Sequence, residues 1–349
     1  MRTPPTLDHV AALSDDVGIH QHAVRDVPNR KEGYCTDDIA RAFMVALAAC
    51  SHEPQRTTAL RLAQTYLAFL ADAQLADGHF HNFMSYSRVW LDDVGTEDSN
   101  GRALWALGYG MRFAPRDSWR EVCAGVLRRA ASHVRGFTFA RPRAYAALGL
   151  AHAFEAAGRS DPALEALLRT VGNDLAAMHA AVAAPGWNWF ENEMTYDNAR
   201  LSEAMLRIGM VLEDSAFVTA GLETLDFYES VVIENGTFVP IGNAGWYVRG
   251  GARARYAQQP LEAAALVDAA LAAEALTGKT RYRRLAESGL DWYFGRNSRD
   301  AVMARGGGCC DGLEELGVNQ NMGAESTLAY VWSAFALARS GADVLRVAR

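Results

Sequence analysis

The sequence predicts an all-α fold, a closed (α/α)6 toroid of six helical hairpins occupying residues 1–349 as a single domain. Three observations predict it. Helical periodicity runs through almost the whole chain, with short and well-marked breaks. Six segments rich in Ala and Gly are apolar nearly all round, as helices buried on every side must be. Between them lie helices with charge on one face only, which suit an outer ring.

The inner segments share one design: a polar or glycine-rich approach, an acidic or polar start, then an apolar run of small residues. They begin near Asp37, Glu97, Pro142, Tyr196, Pro260 and Gly323. Recurrence at ~45–64 residues marks a repeated supersecondary unit, which also lets one core extend past the usual domain size. The outer helices are TTALRLAQTYLAFLADAQ, SWREVCAGVLRRAASHV, DPALEALLRTVGNDLAAMHA, SAFVTAGLETLDFYESVV and TRYRRLAESGLDWYFG. A first helix near Thr6–Asp16 supplies the sixth outer partner. Asp161-Pro162 is an N-cap with proline at the first helical position, and Gly158 and Gly278 are helix stops. The only alternating stretch, ENGTFVPIGN at 234–243, predicts a short hairpin inside a loop.

Connections leaving the inner segments are short, and those entering them are long: 71–96, 183–195, 231–259 and 295–322. In a toroid the long ones emerge on one face, and long loops in a compact domain are usually functional. That face is therefore expected to carry the site.

A net charge of −7 excludes bulk electrostatic attraction to nucleic acid. The opening MRTPPTLDHV has no apolar leader pattern, and no run reaches the ~18 apolar residues of a membrane span, so a cytoplasmic chain without membrane contact is expected. Five cysteines at irregular spacing are no disulfide framework. Cys50 and Cys123 read as core; Cys35, Cys309 and Cys310 lie in polar, glycine-bearing segments. The Gly306–Gly308 run is not a nucleotide loop, since no Lys-Ser/Thr follows and no strand precedes it.

Acids recur at the inner-helix starts, followed by arginine: Asp38 with Arg41, Asp98 with Arg102, Asp197 with Arg200, joined by Glu97, Glu262 and Glu325. Each acid also caps its helix and complements the macrodipole, but together they predict a ring of carboxylates at the barrel mouth. Aromatics in the approaching loops (Tyr34, Trp90, Trp187, Trp189, Trp246) offer flat apolar faces with polar edges, the surface a sugar ring prefers. Carboxylates beside such surfaces are what glycoside chemistry requires: one acid protonates the leaving oxygen, and a second attacks the anomeric carbon or activates water.

Two pairs are candidates. Asp37 and Asp38 are adjacent like charges, which push one pKa upward. Glu193 and Asp197 are four residues apart beside two tryptophans, and share a face if the helix already includes Glu193. His79, His81 and Asp311 are further candidate substrate contacts from the same loops.

The alternating helices, with Gln74, Asp77, Gly78 and Phe80 as Q-x-x-D-G-x-F and with TGKTRY and WYFGRN between 277 and 297, resemble the six-hairpin glycosidase superfamily. TDD ahead of an apolar helix resembles the paired aspartates of endo-α-1,6-mannanases, which implies Asp37 and Asp38 as nucleophile and acid/base, order open. Sugar 2-epimerases share the barrel and use cavity histidines, for which His20, His22, His79 and His81 are available. A β-arabinofuranosidase family on this barrel uses a cysteine–zinc centre with a paired C-C, the pattern of Cys309-Cys310 with Cys35. The expectation is a glycosidase acting on a short oligosaccharide, with no obligatory cofactor and no metal. The alternatives are a sugar epimerase or isomerase, and a noncatalytic glycan-binding partner of a glycosyltransferase.

Overall fold

The computed structural model describes residues 5–347. Among them twelve α-helices follow one another: α1 Asp8–Ala12, α2 Thr36–Ala49, α3 Arg56–Asp72, α4 Glu97–Phe113, α5 Asp117–Ala130, α6 Ala140–Ala156, α7 Pro162–Val182, α8 Ala199–Leu212, α9 Ser215–Val232, α10 Pro260–Thr277, α11 Thr280–Trp292 and α12 Ala324–Val347. The even-numbered helices pack in chain order from α2 to α12, and α12 returns to α2. The ring is closed. Each odd-numbered helix from α3 to α11 lies outside, against the inner helix that precedes it, and α1 rests on α12.

Composition explains which ring each helix joins. In α10 every residue from Pro260 to Ala270 is buried, so no face is left for charge unless it is paired. In α11 only Tyr282, Leu285, Ala286, Gly289, Leu290 and Trp292 are buried, the one-sided stripe of an outer helix. The expected caps are present. Asp161 accepts hydrogen bonds from the Ala163 and Leu164 amides, and Gly278 ends α10 in the left-handed conformation.

Small residues let the inner helices approach closely. A Cβ at Gly108 of α4 would fall 1.9 Å from the Gly149 carbonyl oxygen of α6, and one at Gly149 would fall 2.2 Å from that of Leu104. Backbone touches backbone there.

The N-terminal helix is shorter than the sequence suggests. α1 ends at Ala12 because the Asp15 carboxylate accepts from the Val17 and Gly18 amides, a local turn that competes with the helix. The long loops also hold more strand than alternation predicts. Besides the expected hairpin of Ile233–Glu234 with Thr237–Phe238, Tyr34–Cys35 pairs with Phe83–Met84, and Glu193–Met194 with Tyr247–Val248. Strands of two residues carry no readable period. A bridge between Gln258 and Leu313 and main-chain bonds from Met322 to Arg25 and Ala324 to Gln21 complete the joins. The long loops are thus stitched to one another over the N-terminal ends of the inner helices, which fixes the working face.

Replacing Gly149 by Ala should cost about 1–3 kcal/mol or more through overpacking. Gly125→Ala in α5, where an added Cβ meets nothing within 4 Å, should instead stabilise by roughly 0.5–1 kcal/mol. Urea unfolding of the two variants measures the contrast.

Candidate active site at the barrel mouth

Helices that are apolar all round leave their charged residues nowhere to go but the axis, and there they pair. Arg102 of α4 is the hub. Its Nε lies 2.6 Å from Asp37 Oδ1 of α2, and its Nη2 lies 2.8 Å from Asp197 Oδ2 just before α8. The same Nη2 donates to the Tyr145 hydroxyl of α6 at 2.6 Å, and that hydroxyl donates to Asp197 at 2.8 Å. Arg41 holds Asp37 at 2.8 Å and Asp38 at 3.2 Å with Nη1, and Glu325 of α12 at 2.8 Å with Nη2. Deeper in, Arg200 binds Asp197, Glu203 and Asp268, and the Trp332 indole donates to Asp268 at 2.6 Å.

The expected carboxylate ring therefore exists as an alternation of acids and guanidiniums, in two tiers. The deep tier surrounds a narrow axial cavity of about 40 Å³ lined by Arg102, Trp105, Asp197, Arg200 and Trp332 among others. The upper tier opens into two adjoining hollows of about 450 and 230 Å³ that share Asp37, Asn243, Gln259 and Glu325. Asp38, Asn82, Asp311 and Glu314 complete the larger hollow, and Asp98 and Tyr196 the smaller. Together they have the size of a small-ligand site.

Burial sorts the acids. Burial, reinforced by Asp37 and Glu325 against the opposing Arg41, pushes the Asp38 carboxyl up to about 7. Cys35 Sγ lies 3.2 Å from it, closing its inner side. Burial and then Asp197 likewise raise Glu262 to about 7. Its Oε2 accepts from Asn198 and Tyr228, and Oε1 has no hydrogen-bond partner among the described residues. Asp98 is raised by burial, while the Tyr196 hydroxyl that donates to it pulls the other way. Asp197 moves down, because Arg102, Arg200 and Arg41 together outweigh its burial.

Not every residue singled out in the sequence reaches this site. Asp37, Asp38, Arg41, Asp98, Asp311 and Glu325 line the mouth. Asp197 and Arg200 lie beneath it, and Glu262 is buried beside Asn198. The Glu193/Asp197 pairing is corrected: α8 starts only at Ala199, Glu193 sits in a short strand opposite Val248, and Asp197 is locked between arginines. Nor do all the loop tryptophans offer a face to a sugar. Trp187 packs on Phe227 and Tyr247, and Trp189 stacks on Tyr228, both fully in the core. Trp90 stacks on His81, whose Nδ1 bonds the Asp92 carbonyl, and the Trp246 indole donates to Asn243 at the rim. The Tyr34 hydroxyl donates to Asp15 away from the mouth. Glu97 ties α4 to the Thr138 and Phe139 amides, and His79 pairs with Asp77.

Of the four available histidines, only His22 lines the larger hollow, and His20 is buried against Tyr34. Cys35, Cys309 and Cys310 are buried free thiols outside the one group of three metal-ligating side chains found among the described residues. Sequence reasoning missed Tyr145, Arg141, Glu203, Asp268, Asn243 and Gln259. The first four were visible as polar groups inside otherwise apolar helices; the loop amides had no signal.

No protein-family model and no curated protein sequence matches the chain. Solved structures do. The cellobiose 2-epimerase of Spirochaeta thermophila superposes with a TM-score of 0.73 at 13% identity, over 98% of this chain and 94% of that one. The cellobiose 2-epimerase of Bacillus thermoamylovorans gives 0.74 at 12%, over 97% and 96%. An α-mannanase of Bacteroides thetaiotaomicron gives 0.64 at 10%, over 90% and 88%. What these structures share with the chain is the fold, a closed toroid of six helical hairpins. Within that fold, the inner-helix N-termini and the loops above them supply everything that lines the mouth hollows. No helix among the described residues is long and apolar enough to cross a membrane.

Arg102→Met should cost about 3–5 kcal/mol, because it strands Asp37 and the buried Asp197; chemical denaturation reads this directly. Asp38 and Glu262 hold their protons more tightly folded than unfolded, where carboxyls titrate at about 4. Their contribution to stability is complete below that value and is lost as pH rises through about 7. Denaturation midpoints should therefore drop as pH rises from about 4 to about 7, and Glu262→Gln should flatten the slope.

Proposed function

We propose that the protein is a glycoside hydrolase that cleaves a short oligosaccharide in the mouth hollows. The observation that carries this reading is Asp38, a buried acid raised to about 7, in the wall of a cavity where the Arg41 guanidinium bridges it to Asp37 and Glu325. An acid that keeps its proton near neutrality is suited to protonate a leaving glycosidic oxygen.

The second carboxylate is Glu325. Arg41 binds its Oε2, and the side chain remains 37% exposed at the junction of the two hollows, where a sugar carbon or a water is within reach. Asp37 is suited to a different role. Arg102 engages one of its oxygens and Arg41 the other, so it positions both arginines. Asn82, Asn243 and Gln259 are neutral amides at the hollow walls that suit sugar hydroxyls.

The substrate class follows from charge. The lining holds Asp37, Asp38, Asp98, Asp311, Glu314 and Glu325 against Arg41 and Arg102, whose guanidiniums are already paired. A phosphate or carboxylate on the sugar would be repelled there, so the substrate is a neutral or ammonium-bearing sugar. Six carboxyls against one histidine, His22, at the mouth support hydrolysis over 2-epimerisation, for which the resemblance implies several cavity histidines.

A panel of neutral oligosaccharides, assayed for both released sugar and interconverted sugar, tests the reading. On the cleaved substrate, Asp38→Asn and Glu325→Gln should each lower kcat by about 10²–10⁴ with unchanged circular dichroism. Wild-type activity should decline as pH rises through about 7, as the Asp38 proton is lost. Near-normal turnover in both variants would remove the assignment. Interconversion without release would move the protein to the epimerase class, and binding without turnover to a glycan-binding role.

A further inference from the structure

Away from the mouth hollows, the loop before α4 and the short 3-10 segment after α5 bring two imidazoles and a carboxylate to one point. One ligand atom each from Asp77, His79 and His133 lies within 4.8 Å of the others. The Asp77 carboxylate is 3.0 Å from His79 Nδ1, and the Asp77 carbonyl oxygen is 2.7 Å from His133 Nε2. The two rings face each other with centroids 3.5 Å apart. Both histidines thus aim a ring nitrogen at oxygens of the same residue.

The cluster is built, not merely crowded. Gly78, between Asp77 and His79, has a φ of +103°, and a Cβ there would fall 2.5 Å from the Arg129 carbonyl oxygen. The Asp-Gly-His turn is therefore pressed onto the C-terminal end of α5, which leads directly into Ala131–Gly136 and His133. Gln74 locks the junction, donating to the Gly78 and Val126 carbonyls and accepting from Arg129 Nε at 2.7 Å. On the open side lies a hollow of about 390 Å³, lined by both histidines, Glu97 and Asn100. The His79 and Asp77 side chains are 31% and 58% exposed, so an ion can enter.

We propose that Asp77, His79 and His133 form a binding site for a first-row divalent cation of the zinc type. Two imidazoles and one carboxylate match the ligand preference of such an ion, with water from the hollow completing a tetrahedral set. Magnesium and calcium, which take oxygen ligands, are disfavoured by two nitrogens. On binding, each imidazole presents the lone pair of one ring nitrogen to the ion and carries its N–H on the other. The ion would clip the loop 73–96 to the outer ring, and that loop carries Asn82 and Phe83 into the mouth wall.

The test uses untagged full-length protein stripped with a chelator and titrated with zinc by calorimetry, and with cobalt(II) by visible absorption. One equivalent should bind and give the d–d spectrum of a four-coordinate ion. Zinc at a hundredfold excess over its dissociation constant should raise Tm by roughly 3–5 °C. His79→Ala, His133→Ala and Asp77→Asn should each abolish the equivalent and the Tm shift while keeping the helical circular dichroism. The proposal fails if the stripped protein shows no saturable binding. It also fails if the His79→Ala/His133→Ala double variant binds as wild type, or if magnesium gives the same shift.

Discussion

Everything at the centre of this protein depends on how one buried guanidinium is satisfied. Arg102 belongs to α4, yet its partners are Asp37 of α2, Tyr145 of α6 and Asp197 at the entry to α8. A cation sealed inside an Ala-rich ring must be paired on all sides or it unfolds the ring. Its pairing demands that four successive hairpins sit in correct register. Arg41 does the same across the closure, joining α2 to Glu325 of α12. Closing the toroid and neutralising its axis are one problem with one solution.

That solution leaves more acids than cations on the axis. Eight carboxyls (Asp37, Asp38, Asp98, Asp197, Glu203, Glu262, Asp268 and Glu325) crowd the axis, and Arg41, Arg102 and Arg200 are the guanidiniums that hold most of them. Arg141 is diverted to Glu191. Acids in excess of cations, and out of water, retain their protons. Asp38, Glu203 and Glu262 are the three raised to about 7. Of these, Asp38 lines the larger mouth hollow, so position and not acidity sets it apart.

The ring itself was legible in the sequence because its physics is periodic. Helices apolar on every face and helices apolar on one face must alternate between inside and outside, and the acids at five of the six inner starts must meet at one end. What was not legible depends on angles and on loop paths. The tryptophans of WNWF occupy a polar-looking loop, but that loop folds back over α9, so Trp187 and Trp189 pack on Phe227 and Tyr228. Asp197, read as one of a catalytic pair, adopts a left-handed φ of 48° that turns the chain before α8. That turn brings its carboxylate to Arg102 and Arg200, and not to Glu193. Nor does spacing reveal that Asn243 and Gln259 from one loop converge with Asp311 and Glu314 from another.

The division between helices and loops also accounts for a fold shared at 10–13% identity with proteins of different named activities. The toroid constrains residue type weakly: small and apolar inside, with a few paired charges on the axis, a pattern many sequences meet. The mouth is constrained strongly, but by residues from segments with no periodicity. Asn82, Asn243, Asp311 and Glu314 reach it from three loops, held together by pairs of short strands and single bridges. Such joins fix a loop's position through main-chain bonds while leaving its side chains free to change. A buried carboxyl anchored on a rigid helix thus sits under walls whose side chains can change loop by loop without disturbing the ring.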